Sequence, residues 1–383
     1  MAVAHPRPLL HPGHHSRQPA IVGLSLPTHD IQLVDLSGNV VKRMPGAAVP
    51  AIGFTADMST QLDLVCVTQV DGRAASVLNL TTGAVSVLPD DHVPPIHGEV
   101  NRAGELFIDA VHGGGHDGDV IASKCTLGWV AGAGEYKVLR VHMTLNKEQA
   151  CDIFTLGRDE TWRPRAPPPR VVSGASRRRV AVGGVVYFLL QQFMNKQKTD
   201  DIAMFDMATE KWKPTVLRGP LSSGLGGKDD QKLGHKRRER YCQLVDLNDH
   251  LVAVHWNYQD LSMALWFMVD LENGLWDKRY SLRYPLHGDY GMSYPLMVTG
   301  DGRIVFWMHC CRRPLKAYDL RTRTWAEIAA VEGYIAIGMP KRKLFVLRCL
   351  ELCVLNFLVQ SMLVVTDFSM LCKLLRRILQ AIF

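Results

Sequence analysis

A short pattern recurs along this chain and constrains its fold more than any other feature. An apolar run ends in Asp, Asn or an equivalent residue. A turn residue stands four positions later, and an aromatic or apolar residue six positions later. The copies are Asp35/Val41, Asn79/Val85, Val130/Tyr136, Leu156/Trp162, Asp206/Trp212, Asp270/Trp276 and Asp319/Trp325. The last three read FDMATEKW, VDLENGLW and YDLRTRTW. Gly83, Gly134 and Gly274 hold the fourth position in three copies, and Glu160 and Glu210 in two. A strand calls for β-branched and aromatic residues alternating with polar ones. Asp or Asn at its end bonds the backbone ahead and starts a turn, and Gly supplies positive φ. Trp begins the return strand with a large ring to pack against a neighbour. Each copy is therefore a β-hairpin.

Successive copies are 44, 51, 26, 50, 64 and 49 residues apart. Most gaps match the roughly 40–50 residues of a four-stranded propeller blade. The copy at Leu156 follows its predecessor too closely and reads as the second hairpin of one blade. Units of this kind leave an apolar face uncovered until a neighbour stacks on it.

Composition fits one large all-β domain. The chain has 383 residues, 47% hydrophobic and 21% charged, with 32 Gly and 20 Pro for tight turns. The net charge of +7 is modest. It concentrates in basic runs at 177–179, 236–238, 341–343 and 376–377. These read as solvated loops, and no nucleic-acid partner is expected because no aromatic platform accompanies them. Nine Cys without CxxC spacing and no signal-like start point to reduced thiols, in the cytoplasm or nucleus.

Residues 1–20, rich in Pro, His and Arg, read as a disordered tail. Strand-like segments fill 21–338, with a Gly-rich, charged, mobile insertion at 219–240. Residues 339–383 form a divergent Leu-rich tail, read as helical. Glu351, Asn356, Gln360 and Asp367 inside it speak against a membrane anchor. The fold expectation is an all-β, kelch-like β-propeller or partial propeller with this tail appended.

From about residue 62 to 332 the chain resembles the F-box-associated region of plant-type F-box proteins, the type 3, kelch-like domain. The segments that carry the resemblance are VLNLTTGAVSVLP, LGWVAGAGEYKVLRV, CDIFTLGRDETWR, VAVGGVVYFL, IAMFDMATEKWK, LVDLNDHLVAVH, LWFMVDLENGLWDKRYSL and DGRIVFW…LKAYDLRTRTW, in the family's order. The resemblance implies a module that holds a target protein. In such proteins a helical F-box docks on the Skp-type adaptor of a cullin ubiquitin ligase. The F-box itself is missing from view. Leu26–Pro27 matches its opening dipeptide, but THDIQLVDLSGNVV alternates like a strand. Adaptor and cullin are thus partners only through a cryptic F-box or a full-length relative. The segment after Gly338 does not resemble the family's closing strands, which leaves ring closure open.

No catalytic constellation is legible, and the chain is not expected to be an enzyme. His112, His116, Asp117 and Asp119 (HGGGHDGD) have metal-like spacing, but on a Gly-dense loop with no fourth ligand on a strand. His11, His14 and His15 lie in the N-terminal tail. Lys228, Asp229 and Asp230 follow Gly-Gly without the Ser or Thr of a P-loop. No metal or cofactor is expected. Asp206, Asp270 and Asp319 read as turn caps, and Trp162, Trp212, Trp276 and Trp325 as packing between blades. Partner-binding candidates are Trp256 and Tyr258 in HWNYQDLS, an interface-like composition, and Arg312 and Arg313 after a later strand. The alternatives are a stand-alone interaction propeller and, third, a propeller-type enzyme.

Overall fold

The computed structural model describes residues 20–25, 28, 30–44, 57–68, 74–89, 98–100, 106–108, 124–144, 148–174, 177–191, 200–223, 241–257, 262–283, 292–309, 314–331 and 333–340. Among them, six four-stranded antiparallel sheets form the blades of a propeller, and one two-stranded sheet stands apart. Blade 1 takes its three outer strands from the N-terminal side, Ala20–Ser25 (β1), Ile31–Asp35 (β2) and Val40–Met44 (β3). Blade 2 is Asp57–Gln61 (β4), Leu64–Thr68 (β5), Ala75–Asn79 (β6) and Val85–Val87 (β7). The two-stranded sheet is Gly98–Val100 (β8) with Leu106–Ile108 (β9). Blade 3 is Lys124–Val130 (β10), Glu135–Met143 (β11), Gln149–Thr155 (β12) and Arg163–Arg165 (β13). Blade 4 is Arg179–Val182 (β14), Val185–Leu189 (β15), Ile202–Asp206 (β16) and Lys211–Trp212 (β17). Blade 5 is Tyr241–Leu247 (β18), His250–Asn257 (β19), Ser262–Asp270 (β20) and Leu275–Arg283 (β21). Blade 6 is Met292–Val298 (β22), Ile304–His309 (β23), Pro314–Asp319 (β24) and Thr324–Ala330 (β25). The last strand, Tyr334–Gly338 (β26), pairs with β1 and completes blade 1.

The ring is therefore closed by residues ahead of the divergent tail. The expectation of a helix in that tail concerns residues 341–383, which lie outside the described residues. Closure is also specific. The Tyr334 hydroxyl donates to Gln32 Oε1 at 2.6 Å. A Cβ on Gly23 would stand 2.3 Å from the Tyr334 ring, so only glycine lets the closing strand lie flat there.

Buried apolar residues gather in six clusters among the described residues, and each cluster sits between two neighbouring blades. Consecutive residues of one strand serve different neighbours. Leu64 and Cys66 pack toward blade 3, while Val65 and Val67 pack toward blade 1. Such strands are buried continuously, as in β5, rather than in the alternation expected from the sequence. Both faces of a blade are covered, so both must be apolar.

The recurring pattern marks the turn from each blade's third strand to its outermost one. The carboxylate or amide oxygens of Asp35, Asn79, Asp206, Asp270 and Asp319 accept backbone N–H donors two to four residues on, at 2.7–3.2 Å. Gly83, Gly274, Glu210 and Arg323 take positive φ four residues after their caps. Glu160 does not. In that blade Asp159 accepts the Thr155 N–H at 2.7 Å, and Gly157 supplies the positive φ. The Val130/Tyr136 copy is the first hairpin of blade 3, and Leu156/Trp162 belongs to the last hairpin of the same blade.

The Trp residues do more than pack. Each donates its indole N–H to a carbonyl of the preceding blade, at the end of its outermost strand or a few residues beyond it. The pairs are Trp162 to Pro89 at 2.8 Å, Trp212 to Ala166 at 2.9 Å, Trp276 to Arg218 at 2.9 Å and Trp325 to Arg283 at 2.8 Å. Trp276→Phe keeps the ring's apolar contacts and removes the bond. It should cost about 1 kcal/mol. Gly23→Val displaces Tyr334 and should cost about 2–3 kcal/mol. Urea unfolding of the purified variants measures both.

Candidate functional site

An antiparallel meander sends its connections to two faces. Turns within the first and last hairpins of each blade, such as Leu62–Asp63, Gly183–Gly184 and Asn248–Asp249, lie on one face and are short. Connections from second to third strand, and from blade to blade, all leave the other. The described stretches 88–89, 190–191 and 213–223 leave their blades toward that face. Tyr258 belongs to the β19–β20 connection, and Arg312 and Arg313 to the β23–β24 connection. The three residues themselves lie outside the described residues, as do the histidine-rich stretches and Lys228, Asp229 and Asp230.

Trp256 is not an exposed anchor. It is 5% exposed and sits in the core between blades 5 and 6 with Leu265 and Phe306. Its edge lines a cavity of about 680 Å³ at the rim of blade 5. Trp266 and Tyr318, also buried, contribute aromatic wall. Lys278, Arg283 and Arg323 bring positive charge, and no carboxylate is among the lining residues.

Beneath the cavity lies a buried clasp between blades 4 and 5. Asp200 is 3% exposed. It accepts the N–H groups of Leu221 and Ser222, each at 2.9 Å, and the Ser222 hydroxyl at 2.7 Å. His255 Nε2 stands 3.1 Å from Oδ2, the oxygen that accepts the Leu221 N–H. Gly219 passes so close that a Cβ would meet the Asp200 carboxyl carbon at 2.2 Å. Burial pushes the Asp200 pKa up, but His255, Ser222 and Leu221 outweigh it and bring it down to about 2.

The basic run 177–179 is not a solvated loop. It crosses the ring's axis at the loop-bearing face. The Arg177 guanidinium lies 3.8 Å from the Tyr294 ring centroid in blade 6 and donates to the Ile337 carbonyl of blade 1 at 3.3 Å. Its own carbonyl accepts the Leu244 N–H of blade 5 at 3.0 Å. Arg179 pairs with Asp57 of blade 2 and donates through Nε to Thr126 Oγ1 of blade 3 at 2.9 Å. Composition gave no hint of this, since a run of three arginines looks the same on a surface. The one local signal is its place at the head of the hairpin VAVGGVVYFL, whose first strand, β14, is the innermost of its blade.

Elsewhere, buried charge is likewise tied up in structure. Glu210 is held by Lys137 at 2.8 Å, by Arg163 at 2.7 Å and by Arg165, and these cations keep its carboxyl ionised far below the usual range despite partial burial. Asp152 accepts two bonds from Arg140, at 2.9 and 3.1 Å. Among the described residues no group of three or more His, Cys, Asp or Glu is placed to hold a metal. Nor is any helix there long and apolar enough to cross a membrane.

Two variants test these ties. Asp200 contributes stability above its ordinary pKa of 3.8, lost as pH falls through about 2. Asp200→Asn should cost about 2 kcal/mol at neutral pH and flatten the acid limb of a melting-point-against-pH profile. Arg179→Ala removes the guanidinium from the buried Asp57 and should cost about 3 kcal/mol, read by the same thermal melts.

No curated protein matches this chain. Among solved structures, a chain of the nidogen/laminin complex aligns with a TM-score of 0.45 and 9% identity, over 85% of this chain and 98% of its own. A putative 6-phosphogluconolactonase from Bacteroides uniformis aligns with a TM-score of 0.38 and 11% identity, over 84% and 99%. The β-propeller domain of the trilobed protease from Pyrococcus furiosus gives 0.35 and 10%, over 72% and 71%. The F-box associated beta propeller domain matches residues 28–333, nearly the whole of the ring, and the chain belongs to that family.

Proposed function

We propose that this chain recognises a protein target, as the substrate-receptor part of an SCF-type (Skp–cullin–F-box) ubiquitin ligase. Family membership over residues 28–333 carries the reading. The strand arrangement supports it, because six blades packed into a closed ring form a scaffold from which connecting loops emerge. Loops held by such a scaffold are where binding residues concentrate. The reading is of a binder rather than a catalyst. Asp57, Asp152 and Glu210, strong candidates for acid–base work by burial, are each engaged in an ion pair, and Asp200 accepts hydrogen bonds from Leu221 and Ser222, so all four hold blades or strands together. The cytoplasm or nucleus suits the free thiols of Cys66, Cys125, Cys151 and Cys242.

Quantitative co-purification from the native cell type tests the proposal. The expected outcome is recovery of the Skp-type adaptor and the cullin in stoichiometric amounts. Absence of both, with other proteins retained, would make the chain a stand-alone binder that shields its targets from degradation.

A further inference from the structure

The blade 5 cavity has a chemistry of its own. Its volume of about 680 Å³ exceeds what a single small anion fills, and suits two or three residues of a peptide. Its wall is aromatic, but Trp256, Trp266 and Tyr318 are 5%, 8% and 4% exposed. They offer edges rather than open faces, which suits an aliphatic side chain better than a stacked base.

Three cations line this space, and none has an ion-pair partner among the described residues. Lys278 lies over the Trp266 ring, with its Nζ 5.6 Å from the centroid. The Arg283 backbone carbonyl is taken by Trp325, and among the described residues its guanidinium has no ion-pair partner. Arg323 is the most telling. It occupies the repeat position at which blades 2 and 5 carry Gly83 and Gly274, and it takes the same left-handed conformation, at φ 57°. A side chain there is strained. Glu210, at the same position of blade 4, has φ 56° and is held by three cations. Arg323 has no such compensation among the described residues, and its side chain reaches the cavity. A glycine would serve the turn better, so the arginine is explained by what it faces.

We infer that this cavity binds an acidic peptide segment of the target, with carboxylates on Lys278, Arg283 and Arg323 and an aliphatic side chain against the aromatic wall. The inference rests on the target-recognition reading and gives that target a chemistry. The three cations meet a ligand of opposite charge at the cavity rim, where such charges steer association and set its salt dependence.

The test is fluorescence anisotropy on the full chain with a labelled hexapeptide of four glutamates and two leucines. Its glutamine counterpart and a version with phosphoserine replacing the glutamates complete the set. The glutamate peptide should bind and the glutamine peptide should not, and binding should weaken as salt rises from about 0.05 to 0.5 M. Lys278→Glu and Arg323→Gly should each weaken binding about three- to tenfold. Arg323→Gly should at the same time raise the melting midpoint by about 2 °C, because it relieves the turn. A merely structural arginine would not separate affinity from stability in that way. Equal binding of the glutamine peptide, or unchanged affinity in both variants, overturns the inference. So does binding confined to the phosphoserine peptide, which would make the site a phosphate reader. None of these results depends on adaptor or cullin. A failure here leaves the ligase reading standing, and a failed co-purification leaves the cavity's ligand standing.

Discussion

A blade with two apolar faces has to be sandwiched, and the rest of this molecule follows from that. The six clusters between blades are the core, and no central core is needed. Every blade depends on two neighbours, so the ring must close. Closure falls to a short segment, Tyr334–Gly338, laid against β1. Long-range pairing of this kind is slow to form because the loop-closure entropy precedes the contacts that reward it. Gly23 keeps that late contact unobstructed, and the Tyr334–Gln32 bond fixes it.

The recurring turn solves two problems at one place. Its acidic cap satisfies backbone donors as the chain reverses, and six residues later an indole reaches the previous blade. Local and long-range requirements are met by neighbouring residues, which is the mark of a consistent sequence. Across the axis the ties are different. Arg177 and Arg179, at or just ahead of the start of β14, engage blades 1, 2, 3, 5 and 6 through an ion pair, a ring stack and hydrogen bonds. At the rim the indole hydrogen bonds are joined by charged ties such as Arg163 and Arg165 to Glu210, while near the axis charge and ring stacking predominate.

Most of the fold was legible in the sequence, for a physical reason. Turn caps and Trp residues act within seven positions of each other, so their spacing survives in one dimension. The partnership of Val130/Tyr136 with Leu156/Trp162 in one blade was legible from the short gap. What failed was whatever depends on tertiary neighbours. Strand alternation was expected where two-sided burial gives continuous apolar runs. Arg177–Arg179 looked like solvent-facing charge, because burial of a cation depends on partners as remote as Asp57 and Ile337. Trp256 looked like an exposed anchor, yet its ring belongs to the core between blades 5 and 6. The cavity cations were overlooked for the converse reason. Lys278, Arg283 and Arg323 are scattered along two blades, and only folding makes them one group.

Val41 and Val85 stand where the other blades carry tryptophan. Blades 3 to 6 are each strutted to the blade before them, while blades 1 and 2 lack an indole strut of their own. Lys42 partly substitutes, reaching the carbonyls of Leu80 and Thr81 at 2.9 and 3.0 Å. Mechanically the ring is a stiff horseshoe with a compliant clasp, and the clasp is where the two ends of the propeller's chain meet. Local opening takes the path of lowest free energy. In this ring that path runs through blade 1, so a pull on the N-terminal side loosens the buckle before it touches the blades that carry the cavity.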